Sequence, residues 1–468
     1  MWRLFILFGA GLAAVLAVVS GSAGRSATSL TLLHEGIPPQ LVVPGDPTEV
    51  EYVIGTAGVT EPTGTFYVRR DGQSGFKALP LQLGFASGRR PRLHLTVPAH
   101  FLRGKRLFYY AQLRDPESGA SITVPAKGAR APQASWILHR PTVVRLGPYR
   151  FGHPEAAQAV VARAAATSVG WDRAFQRGPN TFLVGRDRSI WLEDTWKQRM
   201  LVWAPGRPNK PVRTVPLPTE GRHDVAFEDV AFGPRATLYV TRIRKAVPGF
   251  QLFRINAKTG KVLWKSSSPD LWQRFPSSGV ALRVGSDGIL YGHVDAAGIE
   301  TIGTPEYGWM PLATRTGKPL PAAQQSKRIL WGYEPAPSGR RFVAEPYVPP
   351  HWRYLPREWR FATISRYGRL SHAWRITSKA AVGGWYLWPQ LLDGSVVADL
   401  APVAGPGTLE HFFVRLDREG LDAKASLPYR ISGDCRFTDV RVGPDGRIYQ
   451  LATSPATGIV IRRYALGR

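Results

Sequence analysis

Between Trp331 and Trp388 aromatic rings and guanidinium groups alternate along the chain. The stretch holds WGYE from Trp331, PYVPPHWRYLPREWR from Pro346 to Arg360, and GGWYLW ending at Trp388. Between Arg340 and Arg375 eight arginines stand against only Glu345 and Glu358. Ring faces stack on sugars, and guanidinium forks take carboxylate, sulfate or phosphate bidentately. The mixture therefore suits an acidic glycan or a phosphorylated polymer. It nominates Trp331, Tyr333, Tyr347, His351, Trp352, Arg353, Tyr354, Arg357, Trp359 and Arg360 as ligand contacts. Pro349, Pro350 and Pro356 stiffen the loop from Pro346 to Glu358 and lower the ordering cost of binding. The competing reading is that these rings fill an enlarged interface or cover a channel.

A second candidate is His293, in YGHVDA, whose imidazole has the right proton affinity for a general base or a ligand contact. A lone histidine also caps or packs. The chain has no phosphate-binding glycine loop, no GxSxG elbow, no HExxH and no paired cysteines, so the strongly marked catalytic classes lose their signatures. Cys435 is the single cysteine, which excludes an intramolecular disulfide and reads as a small buried strand residue.

The elements that must position these groups are legible as a repeat. Aligning on the turn in GPDGRIY, at the C-terminal end, recovers GRDRSIW from Gly185, GPRATLY from Gly233, GSDGILY from Gly285, APSGRRF from Ala336 and LLDGSVV from Leu391. Successive copies start about 48 to 55 residues apart, the period of propeller blades or solenoid units. In each copy an apolar strand enters, an Asp-Gly type turn reverses it, and a β-branched or aromatic strand leaves. Third and fourth strands follow, so each unit reads as four antiparallel strands. The last unit holds only three, and an unpaired edge must be covered. Either Thr142–Leu146 or Val160–Thr167 can supply the missing strand, although the alanine-rich run after Pro154 also reads as a short helix.

GPNTFLVGRDRSIWLEDTWKQRMLVWAPGRP, from Gly178 to Pro208, resembles a repeat of the NHL and SMP-30-like six-bladed β-propellers, and RINAKTGKVLWK, from Arg254 to Lys265, resembles a quinoprotein-type blade. That likeness covers about residues 170 to 468 and implies a six-bladed propeller from 151 to 468. Its blades are shared by binders, lyases, lactonases and scaffolds, so it implies little about activity. On such a fold the starts of the first strands and the exits of the second strands share a mouth. The register places Asn180, Glu228, Asp229 and Asp439 at the starts, with Glu193, Asp194, His293, Asp295, Glu345 and Asp399 at the exits. A lactonase of the SMP-30-like type implies calcium or another divalent cation held by oxygens from several blades, here Asn180, Asp229 and Asp439. The glutamate that opens the first blade of that family and its later asparagine have no counterpart. The bland alternative is that these carboxylates accept backbone N–H groups at strand starts. No cofactor is expected on the main reading. Trp264 and Trp374 are expected to pack between blades rather than to mark a quinone site.

Upstream, short alternating runs such as TFYVR from Thr65 and LFYYAQL from Leu107, spaced by Gly and Pro turns, predict an immunoglobulin-like β-sandwich over 27–127, followed by a linker over 128–150. Residues 1–26 carry an arginine, an apolar run from Leu4 to Val19 and a small-residue stretch, the order of a secretory signal. A retained anchor is the alternative, on a run shorter than the roughly 20 residues a spanning helix needs. The formal charge is +27, from 61 Lys and Arg against 34 Asp and Glu. In an exported chain that favours an extracellular glycan or an anionic envelope polymer over nucleic acid. The sequence thus predicts an all-β, two-domain protein, secreted or surface-associated, with no transmembrane domain after cleavage. It binds an envelope ligand through the propeller and a protein partner through the sandwich; the rival is a metal-dependent lactonase-like hydrolase or lyase.

Overall fold

The computed structural model describes residues 30–36, 40–55, 61–86, 90–147, 156–162, 169–170, 178–179, 181–218, 225–244, 250–266, 281–285, 287–295, 307–321, 324–325, 330–331, 334–335, 341–347, 357–365, 367–379, 390–392, 395–400, 410–428, 440–454 and 458–466. The expected signal over 1–26 and Cys435 lie outside them. Among the described residues the fold is all-β in eight sheets. Among the described residues no helix is long and apolar enough to cross a membrane.

Two N-terminal sheets pack face to face. One orders Thr31–Gly36, Glu49–Gly55, Arg90–Thr96 and Gln82–Ala86. The other orders Leu41–Val42, Gln133–Ile137, Arg106–Arg114, Thr63–Arg70 and Lys77–Pro80, with Ser121–Val124 also paired to Arg106–Arg114. The period-two pattern decides what enters the core: Leu107, Tyr109, Ala111 and Leu113 alternate inward and meet Val50, Tyr52, Ile54 and Leu93 of the opposing sheet. The span expected as a linker is not one, because Gln133–Ile137 belongs to the second of these sheets and Thr142–Arg145 to a later one.

The remaining six sheets, numbered in chain order, are antiparallel meanders. Sheet one runs Phe182–Val184, Ile190–Asp194, Arg199–Trp203, Arg213–Pro216; sheet two, Val225–Gly233, Thr237–Arg244, Phe250–Asn256, Val262–Ser266. Sheet three runs Leu282–Val284, Leu290–Asp295, Tyr307–Ala313, Leu330–Trp331; sheet four, Glu334–Pro335, Arg341–Tyr347, Glu358–Ile364, Leu370–Thr377, with Thr142–Arg145 added in parallel at its outer edge. Sheet five runs Gln390–Leu392, Ser395–Asp399, Glu410–Leu416, Leu421–Pro428. Sheet six has Val440–Val442, Ile448–Ser454 and Gly458–Tyr464, and its fourth strand is Ala156–Ala162, from ahead of sheet one. That segment is a strand rather than a helix because Val160 and Val161 find Ile461 and Val460 across the ladder.

Local turn chemistry sets the hairpins. Asp187 accepts from the Ser189 amide, Asp287 from Ile289 and the Tyr291 hydroxyl, and Asp445 from Arg447 and the Tyr449 hydroxyl. The left-handed position of the turn is glycine in two copies, Gly288 (φ 74°) and Gly446 (φ 72°), but Arg188 (φ 64°) in sheet one.

Neighbouring sheets share apolar interfaces: one with two, two with three, four with five, five with six, and six with one. They are also bolted at their outer strands. The sheet-three turn brings the Gly317 carbonyl to Trp264 Nε1 (2.6 Å) and Arg254 Nη1 (3.1 Å) of sheet two. The sheet-five turn likewise brings the Asp417 carbonyl to Trp374 Nε1 of sheet four (2.6 Å). Gly317 allows the first approach, since a Cβ there would lie 2.2 Å from the Arg254 guanidinium carbon. The face of sheet four turned away from sheet five is covered differently: Val343, Ala362, Ile364 and Ala373 pack on Leu41, Val43, Trp136 and Leu138 of the N-terminal sheets.

Candidate functional site

The first strands of sheets six, one, two and three begin at one common end, and a single carboxylate joins them there. Asp229 sits at a register shift in Val225–Gly233, where the strand gives up regular pairing between Phe227 and Val230. The Thr241 hydroxyl repairs the break, accepting from the Asp229 amide (3.0 Å) and donating to its carbonyl (3.1 Å). The buried side chain accepts from the Thr181 hydroxyl (3.0 Å), from Arg441 Nη2 (2.6 Å) and from the Leu282 amide (2.8 Å). Arg441 also donates to the Phe182 carbonyl (3.1 Å). The guanidinium stands where a cation would compete for Asp229, and the carboxylate reads as a tie between sheets. The other two expected metal ligands, Asn180 and Asp439, lie outside the described residues. Among the described residues no three His, Cys, Asp or Glu side chains gather into a metal-binding group.

Further polar groups occupy the same end, where second strands finish and third strands start. Asp194 is buried and accepts from the Gly170 amide and from Arg199 Nε, both at 2.9 Å. Burial raises its pKa, and the Arg199 hydrogen bond opposes that rise. Glu193 accepts from the Thr195 hydroxyl (2.7 Å). In sheet five Asp399 Oδ2 meets His411 Nδ1 at 2.6 Å with both side chains buried, the arrangement by which a carboxylate fixes an imidazole's orientation. Sequence reasoning named Asp399 and missed His411, which stands across the connection to the next strand; the one available signal was a histidine opening an apolar strand.

His293 packs edge-on against Trp309, with centroids 5.3 Å apart, and the Arg283 guanidinium lies 5.0 Å from the centre of the same ring. Burial first and Arg283 second push its pKa down to about 4, so the imidazole is neutral at pH 7.

The arginine and aromatic stretch divides between buried and exposed groups. Trp359 and Arg360 were expected on a ligand face, and both are buried, at 4% and 0% exposure. Alternation along Glu358–Ile364 explains why: Trp359 points into the interface with sheet five, 6.4 Å from Phe361, while Arg360 points under the N-terminal sheets. Arg360 donates to Glu358 (2.9 Å), to the Leu41 carbonyl (2.9 Å) and to Asp46, and Arg375 bridges Glu358 (2.8 Å) and Asp46 (3.4 Å). Glu345 accepts from the Gln40 amide (2.8 Å) and the Leu41 amide (2.5 Å), and burial lifts its pKa to about 7 against those bonds and Arg360. These groups form a docking joint. Arg357 is exposed, and Trp331 and Tyr347 lie on strands; Tyr333, His351, Trp352, Arg353 and Tyr354 lie outside the described residues.

No family model matches the chain, and no curated protein does. Among solved structures a marsupial T cell receptor is similar over 52% of this chain and 95% of its own, at 9% identity and a TM-score of 0.17, too low to carry an argument.

Proposed function

We propose that this is an exported binding protein for an anionic extracellular or envelope ligand, built as an immunoglobulin-like sandwich fixed to a six-bladed propeller of the NHL or SMP-30-like kind. Support for the propeller comes from six consecutive meanders, from the repeated tryptophan-to-turn bonds between neighbours, and from the pairing of Ala156–Ala162 with the last strand. The joint of the sandwich through Leu41, Asp46 and Trp136 supports a fixed, ligand-presenting body over two loosely tethered domains.

The observation that carries the functional reading is how the carboxylates are used. Asp229, Asp194, Glu193, Glu345 and Asp399 are each held by the chain's own donors, while the chain as a whole carries a net charge of +27. Such a body attracts polyanions, and among the described residues no three His, Cys, Asp or Glu side chains gather to hold a catalytic cation. The test is retention of the purified full chain on isolated cell envelopes as salt is raised from about 50 to about 500 mM, run beside a lactone-hydrolysis panel. Salt-sensitive retention without hydrolysis is expected. Turnover that EDTA abolishes and calcium restores would overturn the reading in favour of the metal hydrolase.

A further inference from the structure

The opposite end of the six sheets, where the hairpins between first and second and between third and fourth strands lie, has the reverse character. Eleven basic residues are exposed there: Arg186, Arg188, Arg207 and Lys210 on sheet one, Arg235, Lys258 and Lys261 on sheet two, Arg315 and Lys318 on sheet three, Arg369 on sheet four and Arg418 on sheet five. None forms an ion pair with another described residue. The acids of these turns are fewer: Asp187, Asp287, Asp417 and Asp445 accept turn amides, and Glu419 is exposed beside Arg418. Exposed apolar side chains lie in or beside the same turns, with Tyr367 72% exposed and Val212 52%, and Leu263 47% and Val262 39% at the start of the fourth strand of sheet two. Arg188 and Arg235 even occupy left-handed backbone, φ 64° and 56°, where glycine is the unstrained choice.

Basic residues alone suit any polyanion. Basic residues interspersed with protruding tyrosine, leucine and valine suit an interface, because cations pair with headgroup phosphates while apolar tips enter the acyl boundary. We propose that this hairpin end is a peripheral docking surface for a bilayer rich in acidic phospholipid. It deepens the anionic-ligand reading above and rests on it, while moving the contact from the strand-start end to the hairpin end.

The test is co-sedimentation of the full chain with vesicles of phosphatidylcholine alone or with about one third phosphatidylglycerol, across salt. The apolar run from Leu4 to Val19 and its flanking Arg3 and Arg25 are the same in every variant, so the difference between the chain and its variants isolates the basic end. Binding to the acidic vesicles only is expected, falling more than tenfold in the variant Lys258→Glu, Lys261→Glu, Arg315→Glu, Lys318→Glu. Lys77→Glu with Arg114→Glu, exposed on the N-terminal sheets, should leave it unchanged. Tyr367→Ser with Leu263→Ser should weaken binding several-fold and leave a steeper salt dependence. Unchanged melting temperatures certify the variants' folds. Equal binding to neutral vesicles, or full binding by the four-site variant, overturns the proposal. Retention on lipid-free envelope polymer with inert vesicles also overturns it while sparing the broader function; failure on both sinks the two together.

Discussion

At the scale of the residue, the most consequential group is Arg441. Replacing it with alanine leaves Asp229 buried without its cation, and urea denaturation should show a loss of about 3 kcal/mol. Two neighbouring histories of burial give opposite pH dependences. Glu345 is raised from 4.5 to about 7, so its stabilisation is full below 4.5 and disappears as pH rises through 7. His293 is lowered from 6.5 to about 4, so its stabilisation is full above 6.5 and disappears as pH falls towards 4. Between those limits the two slopes oppose. Glu345→Gln should therefore make the urea midpoint climb with pH, and His293→Gln should make it fall; parallel profiles would contradict the assignment. Asp229 was visible in the sequence as a carboxylate at a strand start. Its role was not, because the guanidinium that decides it lies 212 residues away. The same distance problem hid Arg360, whose partner Asp46 stands 314 residues upstream.

At the scale of the element, the hairpins were legible because their determinants are local: an aspartate oxygen, an amide two residues on, and a backbone that turns left-handed. Arg188→Gly should relieve that conformation and raise stability by about 0.5–1 kcal/mol in thermal or urea melts, the strain relieved less the entropy glycine adds to the unfolded chain. Trp264→Phe keeps the ring and removes the donor to the Gly317 carbonyl, and a loss of about 1 kcal/mol is expected. Trp264 and Trp374 do serve as contacts between neighbouring sheets, a role the sequence suggested from ring size alone. Ala156–Ala162 was ambiguous for a physical reason: alanines favour helix in isolation, and only pairing with Gly458–Tyr464 favours the extended form.

At the scale of the whole molecule, the repeat predicted the sheets and their number but not how the sandwich meets them. The apolar pattern of Leu41–Val43 and Trp136–Leu138 looked like ordinary sandwich strand, yet it also covers sheet four. Removal of residues 140–170 takes away strands from two sheets at once, and a truncated chain that stayed folded by circular dichroism would refute the importance given to them. The pairing of Ala162 with Ile459 has a temporal consequence as well. During synthesis one half of that ladder emerges almost three hundred residues before the other, and through that interval its ladder partners are missing, although the Val161 amide can reach an earlier-made acceptor, the Pro208 carbonyl. A nascent chain of this kind needs either a holding chaperone or rapid elongation, and a premature stop after Ser454 should send otherwise well-formed sheets into aggregates.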